Sequence, residues 1–278
     1  MSLHSSKLIV YALGGSPTFM LRCALTGASV CFAHPGPDTT SAAPPCLVTY
    51  AHRMANPQDW DVFLAATDEF TAVKALLDHG IEQAERIRFI QDDGHVVAAV
   101  LASGVEKLLK LTYGYAVTHR DGSWPGHDIR RFGHRILDLH QACLEVTEPM
   151  LPSATNPGVL DEAHRDMQSD PLVAPLLGLL ANYGAGGRFY NLDTLAAATQ
   201  VYESPGLQWR DIDDTVTELL LVADPDVLSD DDRFKHRRGQ VLATAVRRWR
   251  VFYVQLWVQN VIGGDAQRFG LELGGHRL

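Results

Sequence analysis

The stretch VEKLLKLTYGYAVTHRDGSWPGHDIRRFGH, residues 105–134, contains a helix, a turn and the start of another helix. Apolar residues recur at helical spacing through its first half, and Glu106 stands four positions before Lys110, an order that stabilises a helix surface. The run GSWPG then interrupts the pattern, because glycine and proline break helices. The pattern restarts at His127 and Asp128. These residues predict an αα-hairpin with a structured turn, in which His127 and Asp128 orient the second helix and the Asp128 carboxylate caps it.

Helical periodicity continues on both sides of this hairpin, from Asn56 onward. No stretch shows the two-residue alternation that is typical of a half-buried β-sheet. The predicted helices cover about residues 57–80, 81–91 (separate or continuous with the first), 96–117, 127–146, 158–168, 171–182, 193–202, 211–222 and 230–262, with a break at the DDG of 92–94. The sequence therefore predicts an all-α bundle of roughly seven to nine helices with short connections.

Residues 1–53 differ in composition from the rest of the chain. They are rich in Ser, Thr, Pro, Ala and Gly, and Asp38 is their one acidic residue. The run HPGPDTTSAAPP interrupts both helix and strand. We expect a disordered or non-native leader here, with Met54 as a natural start; a short strand or loop appended to the domain and a secretory signal are the alternatives.

Composition limits the class of protein. The 278 residues carry a net charge of −9, with 46% hydrophobic and 21% charged residues, as in an ordinary globular protein. The four cysteines form neither a zinc pattern nor a disulfide framework, which favours a reduced cytoplasmic protein. No apolar run reaches the ~20 residues of a membrane helix, so we expect no membrane contact.

The last predicted helix carries a concentration of positive charge. Residues 233–250 contain seven Lys or Arg and no acid, although the whole chain is acidic. Phosphate contacts are one interpretation, with Trp249 available for stacking on a base. A solvated charged face, or a set of partners for the bundle's own acidic residues, is the other.

Motifs for catalysis or for cofactor binding are scarce. The glycine-rich stretch NYGAGGRFYNLD, residues 182–193, could approach a phosphate, but it lacks the P-loop lysine and no strand precedes it. Its alternative interpretation is a helix end followed by Phe189 and Tyr190 anchored in the core. The twelve histidines include no H-E-x-x-H pattern, and Cys143 falls on an apolar helix seam. We expect no metal and no cofactor.

The hairpin resembles the HEPN family of small helical domains. In that family a helix like EKALKA is followed by a turn with proline and by P-x-x-H-D-L. The residues that carry the resemblance here are Glu106, Lys107, Lys110, Pro125, His127, Asp128 and Ile129, although one residue, and not two, separates Pro125 from His127. The resemblance covers about residues 57–148. It implies a HEPN-like core over residues 54–148 and a C-terminal helical extension over residues 149–278 that packs on this core.

The resemblance also implies a function. HEPN proteins are associated with RNA or nucleotide binding, and many are metal-independent ribonucleases of toxin or defence systems, with a site shared across a dimer. Their Arg-polar-x-x-x-His spacing occurs here once, as RILDLH, from Arg135 to His140, with Ile136 in place of the polar residue. His140 would act as general acid or base on the ribose, and Arg135 would stabilise phosphate charge.

Two functions from different classes follow. The first is a HEPN-like, homodimeric protein that binds RNA or a nucleotide, with or without endoribonuclease activity through Arg135 and His140. Its nucleic-acid-binding candidates are Arg130, Arg131, Arg237, Arg238, Arg247 and Arg248. The second is a non-catalytic helical protein-interaction module, which the departure at Ile136 favours.

Overall fold

The computed structural model describes residues 9–12, 18–22, 29–33 and 57–274. The chain divides into two compact units, residues 1–61 and residues 62–278. Most residues of the expected leader lie outside the described ranges. Three short strands occur within it: β1 Ile9–Ala12, β2 Thr18–Arg22 and β3 Ser29–Ala33.

These strands form an antiparallel sheet in the order β1–β2–β3. Ile9 pairs with Arg22, and Thr18 pairs with Ala33. A short strand was an alternative expectation for residues 1–53, but a three-stranded sheet was not predicted. The strand sequences IVYA and SVCFA are almost continuously apolar, and a short apolar run lacks the alternation by which a strand is recognised.

From Pro57 onward the described chain is helical, which confirms the predicted all-α class for this part. Ten α-helices occur among the described residues: α1 Pro57–Glu85, α2 Ile90–Asp121, α3 His127–Arg131, α4 Ile136–Thr147, α5 Pro157–Ser169, α6 Val173–Ala185, α7 Tyr190–Leu195, α8 Pro205–Ala223, α9 Asp231–Val258 and α10 Gly264–Gly274. Short 3-10 turns cover Glu148–Ser153, Gly187–Phe189 and Val227–Ser229. The predicted number was too low, because α3 and α10 were not expected as separate helices.

Of the two interpretations of Gly80, the continuous helix occurs, and the break predicted at the DDG of 92–94 was wrong. Helix α1 continues through Gly80, where a Cβ atom would lie 2.5 Å from the Leu101 side chain; the glycine permits close packing and does not end the helix. Helix α2 begins at Ile90, so the DDG forms its first turn. The Asp93 carboxylate accepts hydrogen bonds from the backbone N–H groups of Arg88 (3.0 Å) and Phe89 (3.2 Å), which satisfies donors at this helix start.

The hairpin of residues 105–134 forms, but its second helix is interrupted. Helix α3 ends at Arg131, Gly133 adopts a left-handed φ of 54°, and α4 begins only at Ile136. The predicted cap is also wrong. The helix start at Gly126 has no side-chain cap, and Asp128 lies 3.5 Å from Arg131 as an exposed ion pair.

The turn itself is held by Trp124. Its ring packs on Gly114 of α2, where a Cβ atom would lie 2.2 Å from it, and makes an edge contact with Tyr115 at 5.5 Å. The glycine thus provides the space that the tryptophan needs. The turn is fixed by this aromatic contact and by the left-handed C-cap of α2 at Gly122, whose N–H donates to the Thr118 carbonyl (2.8 Å); no side chain caps α3.

Helices α2 and α9 run through the core and contact most of the others. The predicted apolar seam of α4 is buried: Ile136, Leu139, Cys143 and Val146. At the other end of the bundle, α10 places Phe269 in a stack on Phe70 at 4.2 Å, and Trp257 donates a hydrogen bond to Thr112 (3.0 Å). These contacts pack α1, α2, α9 and α10 around one core.

Candidate nucleic-acid-binding cleft

A cleft of about 1300 Å³ opens between α1 and α9. Apolar side chains contribute Ile81, Ile87, Val251 and Val254 to its lining. Beyond the cleft, Gly239 of α9 contacts the end of α1, where a Cβ atom would lie 2.2 Å from the Glu85 carbonyl oxygen. Because the two helices touch there, Gly239 fixes how closely α9 approaches the wall formed by α1.

Charged groups surround the apolar lining and carry a positive surplus. The lining contains six Lys or Arg side chains: Lys74, Arg86, Arg88, Lys235, Arg247 and Arg250. It contains four acidic side chains: Asp78, Glu82, Glu85 and Asp232. His236 also lines the cleft. The cleft is therefore locally cationic in a chain whose net charge is −9.

Every acidic side chain of the lining has a cationic partner. Glu82 pairs with Arg86 (2.7 Å), Glu85 with Arg247 (2.6 Å), Asp78 with Arg250 (2.5 Å) and Asp232 with Arg88 (3.6 Å). The last pair is 71% and 85% exposed. Exposed pairs of this kind contribute only about 0–1 kcal/mol, so this ion pair holds the Arg88 guanidinium only weakly in place.

Asp78 and Arg250 connect the two helices that form the cleft. Burial opposes ionisation of Asp78, but hydrogen bonds from Lys74 and Arg250 outweigh it and hold the pKa of this carboxyl below its usual range. Arg250, which is buried, also donates a hydrogen bond to the Leu273 carbonyl of α10. This arginine therefore ties α1, α9 and α10 together and is less available to a ligand than Arg86 or Arg88.

An exposed aromatic side chain lies next to the cationic lining. Phe89 is 51% exposed, directly follows Arg88, and has the Lys235 ammonium 4.3 Å from its ring centre. Nucleic acid bases stack on exposed aromatic rings while nearby cations hold the phosphates. The Lys235 ammonium also lies 2.6 Å from the Asp231 carboxylate and its side chain is 17% exposed, so Arg88, at 71%, is the more accessible cation beside Phe89.

The arginines predicted to bind nucleic acid have different surroundings. Arg247 lines the cleft. Arg237 is exposed on α9. Arg238, the next residue, is buried, and its guanidinium donates hydrogen bonds to the Asp213 carboxylate (3.5 Å) and to the Arg88 carbonyl. Burial raises the pKa of Asp213, against the opposing effect of Arg238.

Further along the basic helix, Arg248 is half exposed and Trp249 is buried. Arg248 pairs with the buried carboxylate of Asp170 (2.7 Å). Trp249 is 2% exposed and packs against Tyr253. The expectation that it is available to stack on a base is therefore wrong. Arg238, Arg247 and Arg248 therefore have acidic partners within the bundle, which was one of the two interpretations of the basic helix.

Arg130 and Arg131 lie on α3, more than forty residues from either wall of the cleft in sequence, and both are exposed. Neither lines the cleft. His127 and Asp128, from the same short helix, are exposed too. This surface is a second place where phosphate contacts can occur.

Arg135 and His140 point to different surroundings. Arg135 precedes the first residue of α4 and donates hydrogen bonds to the carbonyls of Arg131 (2.7 Å) and Phe132 (3.3 Å), with Asp138 2.9 Å away. The His140 Nδ1 atom lies 2.6 Å from the Tyr253 hydroxyl of α9. One side chain is tied to an exposed turn and the other to the bundle.

Burial changes the protonation of His140. Desolvation, with a smaller contribution from His164, lowers its pKa to about 4, so the imidazole is neutral near pH 7. Burial also raises the pKa of Tyr253, which therefore keeps its proton. A neutral, hydrogen-bonded imidazole is suited to a structural role; a general acid needs a pKa nearer to neutrality.

The Glu106–Lys110 ion pair predicted on the first helix of the hairpin is present. Lys110 contacts Glu106 at 2.6 Å, and His134 contacts the other carboxylate oxygen at 2.9 Å. Burial opposes ionisation of Glu106, but these two hydrogen bonds hold its pKa below the usual range. The contact with His134, twenty-eight residues away, fixes the turn between α3 and α4 against α2.

Most residues of the cleft were not among the predicted site residues. Lys74, Asp78 and Glu82 recur every four positions on α1, which is the one sequence signal they give. A solvated helix face has the same spacing. Only the packing of α1 beside α9 distinguishes a cleft wall from such a face.

Among the described residues, no group of His, Cys, Asp or Glu side chains has the arrangement of a metal site. Within the same part of the chain, no helix combines the length and the apolar character needed to cross a bilayer. Comparison with protein-family models, curated proteins and solved structures gave no match. The resemblance to the HEPN family therefore rests on the residues of the hairpin.

Proposed function

We propose that this protein is a HEPN-like helical protein that binds single-stranded RNA in the cleft between α1 and α9. The observation that carries the proposal is the cationic surplus around an apolar lining, with Phe89 and Lys235 together beside it. Small-molecule pockets usually measure about 300–1,000 Å³, and this cleft is larger, at about 1300 Å³. Its size suits several nucleotides of a strand better than one mononucleotide.

Binding without cleavage is the form of this proposal that the geometry supports best. His140 is neutral, partly buried and hydrogen-bonded to Tyr253, while Arg135 is bound to carbonyls of its own turn. Neither residue lines the cleft. We expect purified wild-type protein to leave labelled RNA intact. Cutting by the wild type that His140→Ala abolishes would establish the nuclease instead; equal cutting by both proteins would indicate a contaminant.

The binding proposal is tested by fluorescence anisotropy with a short labelled single-stranded RNA. Lys235→Ala and Phe89→Ala should each weaken binding by about fivefold to tenfold, because each removes a phosphate or a stacking contact of ~1 kcal/mol. Arg237→Ala is the matched control on α9, since Arg237 is exposed and outside the cleft lining. Equal affinity in all four proteins, or no binding by the wild type, contradicts the proposal.

A second candidate function is the non-catalytic protein-interaction module. It is favoured by a different observation: exposed apolar side chains concentrate between Phe189 and Leu207, away from the residues that line the cleft. The two functions are compatible, because they use different surfaces.

A further inference from the structure

The connection between α1 and α2 carries two exposed side chains between two buried ones. It consists of residues 86–89, so Arg88 and Phe89 come directly before the first residue of α2. The Arg88 side chain is 71% exposed and Phe89 is 51% exposed. Their neighbours Ile87 and Ile90 are 1% and 5% exposed. Buried anchors therefore flank the exposed pair on both sides.

All four backbone polar groups of Arg88 and Phe89 have hydrogen-bond partners within the protein. The Asp93 Oδ2 atom accepts from the N–H groups of Arg88 (3.0 Å) and Phe89 (3.2 Å). The Arg238 guanidinium donates to the Arg88 carbonyl. The Phe89 carbonyl accepts from the N–H groups of Asp92 (3.1 Å) and Asp93 (2.8 Å). The backbone of the pair is therefore held in place while both side chains remain accessible.

A fixed backbone favours ligand binding by Arg88 and Phe89. Binding to a mobile loop costs the free energy of ordering that loop, and a preorganised loop avoids the cost. The Phe89 ring can stack on an unpaired base while the Arg88 guanidinium contacts a neighbouring phosphate. Both contacts form together only if the two side chains leave the backbone in fixed relative directions. The conformation of this connection therefore contributes to affinity in addition to its charge.

The charge of Asp93, in contrast, opposes the binding of RNA. A carboxylate next to a cationic cleft lowers the local positive potential and repels phosphate. Asp93 is half-buried, and it does not line the cleft. Its electrostatic effect on a polyanion is therefore unfavourable, and its two hydrogen bonds to the connection are the contribution that offsets this effect.

A second exposed phenylalanine provides a comparison. Phe189 is 47% exposed, and the Arg188 guanidinium lies 4.7 Å from its ring centre. The expectation that Phe189 and Tyr190 are anchored in the core is therefore wrong, because Phe189 is exposed and Tyr190 is half-buried. Arg188 and Tyr190 do not line the cleft, whereas Arg88, the neighbour of Phe89, does. Phe189 thus has the same ring and a similar exposure at a different place.

We propose that Asp93 is a positioning residue of the RNA-binding cleft. Its carboxylate holds Arg88 and Phe89 in the conformation that presents a cation and an aromatic ring to one unpaired nucleotide. This proposal rests on the RNA binding proposed above, and it adds a residue that acts through the connection without touching the ligand. Because both hydrogen bonds end on one oxygen atom, Oδ2, the single amide oxygen of an asparagine can accept them too.

The test uses three variants that each remove one negative charge: Asp93→Ala, Asp93→Asn and Asp92→Ala. Asp92 is the exposed neighbour, and the N–H groups of Arg88 and Phe89 donate to Asp93 instead. The first readout is amide hydrogen exchange without RNA. Exchange of the Arg88 and Phe89 N–H groups should accelerate by at least about tenfold in Asp93→Ala and stay close to the wild type in the other two variants.

The second readout is affinity for a labelled single-stranded RNA, measured by anisotropy at one salt concentration. Asp93→Ala should bind about threefold to tenfold more weakly than the wild type, although removal of a negative charge alone would strengthen binding. Asp93→Asn and Asp92→Ala should bind at least as tightly as the wild type, because they lose the charge and keep both hydrogen bonds. Phe189→Ala should leave the affinity unchanged, in contrast to Phe89→Ala. Helical circular dichroism checks that every variant is folded.

The positioning role is overturned if Asp93→Ala leaves the exchange of Arg88 and Phe89 unchanged or binds RNA as tightly as the wild type. Equal losses in Asp93→Asn and Asp93→Ala overturn it too, since the charge and not the acceptor would then matter. So do equal losses in Phe189→Ala and Phe89→Ala, since the place of the ring would not matter. A wild type that binds no RNA removes the proposed function and with it the role in binding, whereas unchanged exchange removes the positioning role alone.

Discussion

Arg237 and Arg238 are neighbours in sequence with opposite roles. Arg237 is exposed, whereas the Arg238 guanidinium is buried and connects Asp213 of α8 to the Arg88 carbonyl after α1. Arg238→Ala should lower the free energy of unfolding by about 3 kcal/mol, because it leaves a half-buried carboxylate and a carbonyl without their partner. Urea unfolding measures this effect.

Arg237→Ala is the control for that experiment, and its free energy of unfolding should stay within about 0.5 kcal/mol of the wild type. Equal losses in the two variants would mean that both arginines are structural. Equal stability would mean that Arg238 has no such role. Either result would contradict the opposite roles assigned to the two arginines, and only equal stability would remove Arg238 as the residue that joins α8 to the end of α1.

His140 gives a pH dependence with a definite sign. Its pKa of about 4 in the folded chain lies below the ordinary 6.5, so the unfolded chain binds the proton more readily between these values. The contribution of neutral His140 to the free energy of unfolding is complete above pH 6.5 and is lost as pH falls toward 4. His140→Asn keeps a polar atom near Tyr253 but does not titrate. Between pH 6.5 and 4 the free energy of unfolding of this variant should therefore fall by on the order of 2 kcal/mol less than that of the wild type. Parallel stability curves for the two proteins would contradict this.

Among the elements, the long helices were predictable and their junctions were not. The apolar stripe of α2 and the seam of α4 follow from helical spacing, and both are buried. The split between α3 and α4 depends on Gly133 and on the contact of His134 with Glu106. Helix α10 depends on the stack of Phe269 on Phe70, about two hundred residues apart. Sequence periodicity contains neither kind of information.

The approach of α9 to α1 depends on one glycine. Gly239→Ala would place a Cβ atom 2.2 Å from the Glu85 carbonyl oxygen, and backbone atoms cannot move aside as a flexible side chain can. We expect a loss of about 1–3 kcal/mol in the free energy of unfolding, measured by urea denaturation.

Gly178 of α6 is also a helical glycine, but it has free space where Gly239 has a close contact. No atom lies within 4 Å of a Cβ built there. Gly178→Ala should therefore stabilise the protein by about 0.5–1 kcal/mol, because alanine loses less backbone entropy in a helix. A stabilising Gly239→Ala would show that α1 and α9 are not in close contact.

At the scale of the whole molecule, the cleft brings together residues from 74 to 255. The concentration of charge in residues 233–250 was visible in the sequence, but its division between the cleft, the core and the surface was not. That division depends on acids far away in the chain: Asp78 and Glu85 on α1, Asp170 after α5 and Asp213 on α8. Charge spacing alone identifies a helix face, and packing decides which side chains remain available.

The most direct test compares two pairs of exposed arginines in one anisotropy assay with single-stranded RNA. Arg86→Ala/Arg88→Ala removes two charges from the cleft lining, and Arg130→Ala/Arg131→Ala removes two from α3. The cleft proposal predicts about a tenfold or greater loss of affinity for the first pair and less than about a twofold loss for the second. A larger loss for the α3 pair would place RNA on the surface of the hairpin, and equal losses would indicate only general attraction to positive charge. Either result would contradict a binding site between α1 and α9.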